Sequence, residues 1–204
     1  MKTVVILLTV LAGWFTAGKN TPAEGYQVGD VVADFSLTNV DGNKVSLADY
    51  KDAKGYIVVF TCNTCPVSVA YEDRINALDK KYKPLGYPVI AINPNDPGTA
   101  PAESLDHMKK RAQEKGFTFP YLEDPDHIIT KRYAASRTPH TFILQKTSQG
   151  NVLRYIGAID DNTNEDAASS FFVQNAIAAL ESGAKPDPDF TKAVGCTIKW
   201  KKGS

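Results

Sequence analysis

Cys62 and Cys65 are separated by two residues, close an apolar run that begins at Gly55, and are followed at once by Pro66. A thiolate is the nucleophile of disulfide exchange, and a second thiol two residues on can attack the mixed disulfide and release a reduced substrate. The pair also has two plainer readings. Half of a zinc site needs two more ligands, and the chain offers only Cys196, His107, His127, His140 and carboxylates, with no second paired cluster. An inert structural disulfide is the other. A dithiol that follows a strand and opens a helix favours redox chemistry over both.

The flanking elements must hold that pair. Tyr56 to Phe60 is uninterrupted apolar sequence rich in Val and Ile, which predicts a strand buried on both faces. From Val67 to Tyr82 the apolar positions Val67, Tyr71, Ile75, Leu78 and Tyr82 recur at helical spacing. Cys62 therefore falls at a strand-to-helix turn and Cys65 in the first helical turn. Unsatisfied N–H groups and the helix dipole there favour a thiolate.

Around this unit, Val31–Leu37 reads as a first strand, and Asp41-Gly42 turns it into Lys44–Leu47 as a β-hairpin. Pro84 and Gly86 stop the helix, and Tyr87–Asn93 is a second buried strand. Glu103–Lys115 reads as a charged helix ended by Gly116, Phe117–Leu122 as a short extended segment, and Ile128–Ala135 as a short helix. Ser136–Leu144 is a loop entering a strand, paired through Gln149-Gly150-Asn151 with Val152–Ile156. Glu165–Leu180 is the closing helix, and Pro186, Pro188 and Gly195 mark an irregular tail. Alternating strands and helices predict an α/β domain around a mainly parallel sheet.

Basic and acidic residues number 23 each in 204 residues, so the chain is one soluble domain without the charge excess of a nucleic-acid or anionic-membrane binder. Residues 1–20 carry Lys2, an apolar run from Val4 to Ala12, and small residues Ala17 and Gly18, the pattern of a signal peptide. Residues 21–28 follow as a polar connector. Export would place the dithiol in a disulfide-permissive periplasmic or other extracytoplasmic compartment. Cys196 is then an odd third cysteine, either free or a partner for one of the other two.

In order, the hairpin, strand, Cys62-x-x-Cys65, helix, strand, helix, and Thr138-Pro139 before a second hairpin and a last helix resemble the thioredoxin-like fold in its peroxiredoxin-like, AhpC/TSA-type redoxin branch. The resemblance runs from Gly29 onward. Asn93–Asp96, Phe119–Leu122, Gly157–Asp161 and Gly195–Trp200 resemble a subgroup of exported or cytosolic thioredoxin-family proteins. It implies a central mixed β-sheet flanked by helices with an N-terminal hairpin, a domain over residues 29–183, and a tail at 184–204 packed upon it. It further implies that Cys62 and Cys65 are catalytic, that Pro139 is cis against them, and that Thr138 and Pro139 present the substrate backbone. Proline has no N–H, so a peptide can approach that edge without facing an unsatisfied donor.

Several positions depart from the family's patterns. Thr61 replaces the Trp of thioredoxin, Asn63-Thr64 replace Gly-Pro, and Tyr56 stands where thioredoxin has a buried acid. Peroxiredoxins place a Thr three residues and a Pro seven residues before their reactive cysteine, and before Cys62 these positions hold Val59 and Gly55. Arg137 occupies the place of a cysteine in relatives of the subgroup, where its charge would stabilise a thiolate. His140 is expected near the sulfurs, as a proton carrier or facing solvent, and Glu72 and Asp73 are expected in solvent. Cys196 is either a resolving thiol for Cys62 or one merely packed as Ile198 and Trp200 dock the tail.

These features together specify an exported, monomeric thiol-disulfide oxidoreductase with a redox-active Cys62–Cys65 pair and no organic cofactor. Its partners would be protein thiols and disulfides and an upstream redox protein, with no nucleic acid and no membrane beyond the leader. A peroxiredoxin-like thiol peroxidase is the runner-up. A copper-binding module using Cys62, Cys65 and His140 is a further alternative, and an interaction domain with a locked disulfide is another.

Overall fold

Gly55–Phe60 is buried at all six positions, and every layer of the protein is built against it. The structure, a computed structural model, describes residues 25–203; the expected leader and the first half of the connector, residues 21–24, lie outside the described residues. The strands are β1 (Val31–Val32), β2 (Ser36–Asn39), β3 (Lys44–Ser46), β4 (Gly55–Phe60), β5 (Val89–Asn93), β6 (Tyr121–Glu123), β7 (Arg137–Thr138), β8 (His140–Thr147), β9 (Gly150–Gly157) and β10 (Cys196–Thr197). The helices are α1 (Pro66–Tyr82), α2 (Leu105–Lys115), α3 (Ile128–Arg132) and α4 (Phe172–Glu181). Eight strands form one sheet in the order β1-β9-β8-β4-β5-β6-β2-β3, and β10 pairs with β7 in a separate ribbon.

Alternation along β4 divides the core. Ile57 and Val59 face a cluster with Tyr71, Ile75 and Leu78 of α1 and Val173 and Ile177 of α4. Tyr56, Val58 and Phe60 face the other way, onto Ile90, Leu122, Phe142, Tyr133 and Tyr26. Each such apolar side chain contributes about 1.5–3 kcal/mol on burial, so a polar substitution at either set would unseat a whole layer. Only β4–β5 and β5–β6 are parallel, while β4 pairs antiparallel with β8 over Gly55–Phe60. The expectation of a mainly parallel sheet is thereby corrected to the mixed sheet, because two hairpins supply its flanks. Among the described residues no helix is long and apolar enough to cross a membrane.

Further details differ from the sequence reading. The single first strand is two, β1 at one edge of the sheet and β2 one strand in from the other. Asp34 Oδ1 accepts from the N–H groups of Phe35 (2.8 Å) and Leu47 (2.9 Å) and turns the chain between β1 and β2. The closing helix starts at Phe172 rather than Glu165, because Asp161 accepts from Ser169 N and Oγ and Asn164 accepts from Asp166 N, which ties residues 161–170 into a loop. Tyr26, in the expected connector, is buried edge-on against Tyr133 at 5.4 Å between ring centroids. The irregular tail contains β10.

Candidate active site

The chain leaves the sheet just after Phe60, where Thr61 N still donates to Ile92 O at 2.9 Å. Residues 62–65 then turn into α1, with Cys65 extended at the N-cap (φ −68°, ψ 120°) and Pro66 in the first turn. Proline suits that place because its missing N–H would have had no partner and its φ is already helical. All three cysteines are free thiols; Cys62 is 4% exposed, Cys65 3%, and Cys196 is half-buried. Cys62 Sγ lies 3.1 Å from Thr138 Oγ1 and donates to Ser68 Oγ at 3.7 Å. Cys65 Sγ donates to the carbonyl oxygen of the same Thr138 at 3.3 Å. One residue thus touches both sulfurs, and its peptide bond to Pro139 is cis.

The two thiols differ electrostatically. Burial pushes the Cys62 thiol up, the negative charge of Glu103 adds to this, and hydrogen bonding with Thr138, the Cys65 N–H and Ser68, which favours the thiolate, does not offset it. Burial also acts on Cys65, but hydrogen bonds from the Cys196 thiol and the N–H groups of Ser68, Cys196 and Val67 outweigh it and leave that thiol below its usual range. Cys196, donating to Cys65, is pushed up to about 11, with burial and the charges of Cys65 and Cys62 acting the same way. The helix N-terminus therefore favours ionisation of Cys65 over that of Cys62.

Glu103 escaped the sequence reading, which placed it in a solvated helix. It sits in a single 3-10 turn ahead of α2 and is 2% exposed. Its Oε2 accepts from Asn63 N and Asn93 Nδ2, both at 2.9 Å, and its Oε1 from Thr64 N at 3.1 Å and from Thr64 Oγ1. Asn63 Nδ2 donates to Ala102 O at 2.8 Å, and Tyr121 Oη donates to Asn63 Oδ1 at 3.0 Å. One buried carboxylate thereby clamps both residues between the cysteines. The signal was the pair of hydrogen-bonding residues in that turn, whose partner is 40 residues away.

The remaining candidates fall in different places. Arg137 Nη1 donates to Gly195 O at 2.9 Å, so its hydrogen bond secures the tail rather than a sulfur. His140 is 7% exposed, packs on Phe142 at 4.5 Å between centroids, and accepts from Ser136 N at 3.5 Å. Burial brings its pKa down to about 4, so it is a neutral core residue that neither meets solvent nor bonds a cysteine. Glu72 is also buried, held by Arg111 Nε at 2.7 Å and Nη2 at 2.8 Å, which corrects its expected exposure. The Tyr56 hydroxyl is spent on Leu47 O at 2.7 Å. Among the described residues no three His, Cys, Asp or Glu side chains are grouped to hold a metal, so the copper set of Cys62, Cys65 and His140 is not assembled. Cys196 is paired directly opposite Thr138.

The AhpC/TSA family profile matches residues 28–156. The chain is 28% identical over 154 residues to the thiol-disulfide oxidoreductase ResA of Geobacillus thermodenitrificans, covering 73% of this chain and 82% of that protein. A crystal structure of a hypothetical protein from Sinorhizobium meliloti 1021 superimposes with a TM-score of 0.80 at 30% identity, covering 88% of this chain and 97% of the other. The exposed lipoprotein thioredoxin of Streptococcus pneumoniae superimposes with a TM-score of 0.52 at 21% identity, covering 65% of this chain and 93% of that one, which establishes the thioredoxin-like fold alone. With a match over more than half its length and this fold, the chain belongs to the AhpC/TSA family.

Proposed function

We propose that the protein is a thiol-disulfide oxidoreductase acting through Cys62 and Cys65 on protein thiols and disulfides. The observation that carries this reading is the contact of both thiols with Thr138, Oγ1 to one sulfur and the carbonyl to the other. Cys62 loses its proton to water and attacks the substrate disulfide as a thiolate hydrogen-bonded by Thr138, Ser68 and the Cys65 N–H; a mixed disulfide with Cys62 forms, and the first substrate sulfur leaves with the electron pair and takes up a proton. Cys65, whose hydrogen bonds favour the thiolate, then attacks Cys62 Sγ and releases the second substrate sulfur, leaving a Cys62–Cys65 disulfide. No organic cofactor enters these steps. The leader pattern in residues 1–20 supports an extracytoplasmic location.

Insulin-disulfide reduction driven by dithiothreitol tests the reading. Wild type accelerates it, and both Cys62→Ser and Cys65→Ser abolish the acceleration; an equal rate in either variant refutes the dithiol mechanism. Peroxidase chemistry is the second reading, favoured by one contact: the Thr138 hydroxyl stands beside Cys62 although Val59 offers none. Burial and the Glu103 charge oppose the thiolate that peroxide attack needs, so hydrogen peroxide consumption should stay far below disulfide exchange.

A further inference from the structure

The edge of β7 beside the dithiol, where a substrate backbone would pair, is filled by the chain's own C-terminal strand. Cys196 opposes Thr138 and Thr197 opposes Arg137 in an antiparallel register. Gly195 approaches so closely that a Cβ there would collide with the Thr138 carbonyl oxygen. The strand is anchored on both sides of Cys196. Before it, Arg137 holds the Gly195 carbonyl. After it, Ile198 is buried, Lys199 N donates to Asn95 Oδ1 at 2.8 Å, Asp96 N donates to Lys199 O at 2.8 Å, and Thr99 Oγ1 donates to Trp200 O at 3.1 Å. Lys201 N donates to His127 Nε2 at 2.9 Å, and Trp200 lies against that ring at 4.8 Å between centroids. A thiol held this way is positioned rather than incidental, and its strand neighbour Thr138 is the residue that both site cysteines touch.

We propose that Cys196 is a third redox thiol, carried on a resident substrate strand, which takes over the active-site disulfide as Cys65–Cys196. The step rests on the oxidoreductase reading, since it starts from the Cys62–Cys65 disulfide. The Cys196 thiolate attacks Cys65 Sγ; the Cys65–Cys196 bond forms, the Cys62–Cys65 bond breaks, and Cys62 leaves with the electron pair. Cys196 gives up a proton and Cys62 takes one, so no oxidant or reductant is consumed. The disulfide then ends on the half-buried sulfur instead of lying between the two buried ones. An upstream reductant can attack it there, while Cys62 is returned as a thiol.

Disulfide mapping on the full chain tests this. Trypsin releases Cys62 and Cys65 together on residues 55–74 and Cys196 on residues 193–199, so the two disulfides have different masses. After one equivalent of diamide and acid quenching at successive times, the internal 55–74 disulfide should appear first and the cross-linked peptide pair second. Cys62→Ser should still cross-link, and Cys65→Ser should not. Gly195→Ala, which keeps all three thiols, should slow the cross-link about tenfold by driving β10 off β7. A Cys196 that alkylates fully in oxidised wild type and in Cys62→Ser overturns the proposal and leaves the dithiol reading standing. Absence of both the 55–74 disulfide and insulin reduction overturns the dithiol reading itself, while the cross-link in Cys62→Ser reports on Cys196 separately. A cross-link retained in Cys65→Ser assigns the partner to Cys62 and overturns the pairing stated here.

Discussion

Replacing Glu103 by Gln removes one negative charge and changes one oxygen into a donor. The carboxylate accepts four hydrogen bonds, two on each oxygen. Glutamine keeps an acceptor for one pair and turns an NH2 group toward the donors of the other. Hydrogen bonds to a buried charged group contribute about 1.5–3 kcal/mol each. Losing two, partly offset by no longer desolvating a charge, gives a destabilisation of about 3 kcal/mol, or a fall in Tm of about 10 °C for a domain of this size. Glu103 also opposes ionisation of Cys62, so the Cys62 pKa should fall in the variant. Urea denaturation measures the first effect, and the pH dependence of iodoacetamide alkylation, read at Cys62 by mass spectrometry, measures the second. A variant as stable as wild type refutes the clamp. A Cys62 that alkylates more slowly at neutral pH refutes the electrostatic argument, even if the stability falls as expected.

The other predictions follow from single contacts. His140 is held neutral by burial at a pKa of about 4 against its ordinary 6.5, so the unfolded chain binds the extra proton between those values. Stability is complete above pH 6.5 and falls by about 3 kcal/mol as pH drops toward 4, a slope that urea titrations should find flattened in His140→Phe. Cys196→Ala removes the thiol that donates to Cys65, and absorbance at 240 nm should then show the Cys65 thiolate forming at higher pH. Asp160 accepts from Tyr71 Oη and pairs with Arg74, both at 2.6 Å, in the interior. Asp160→Ala strands a buried guanidinium and should cost about 3–5 kcal/mol in urea denaturation.

The strand-turn-helix unit was legible because two different periods meet at Cys62. Continuous apolar residues to Phe60 could only be a doubly covered strand, and the spacing from Val67 to Tyr82 could only be a helix face. Thr138-Pro139 was legible through the resemblance, since a dipeptide alone says little. Glu103, Glu72 and His140 were misread for one shared reason: a charged or polar residue was assigned to solvent by its type. Each is buried because a distant partner or an aromatic wall compensates it, as Arg111 does for Glu72 across 39 residues of sequence. The tail was read as irregular because Pro186, Pro188 and Gly195 break any local pattern, and a two-residue strand defined wholly by its partner has no period of its own.

Helix N-terminus arguments assign the thiolate to whichever cysteine the N–H groups reach, and here geometry makes that choice. Cys65 is at the N-cap itself and receives the N–H groups of Val67 and Ser68, while Cys62 lies one turn outside, against the carboxylate that shapes the loop. Glu103 therefore stabilises the turn at the expense of Cys62 acidity, and the Cys196 hydrogen bond moves negative charge further toward Cys65. Were β10 to leave β7, Cys65 would lose both the thiol and the N–H of Cys196. Undocking the tail would then narrow the difference between the two thiols, so the strand paired with β7 also favours ionisation of Cys65 over Cys62.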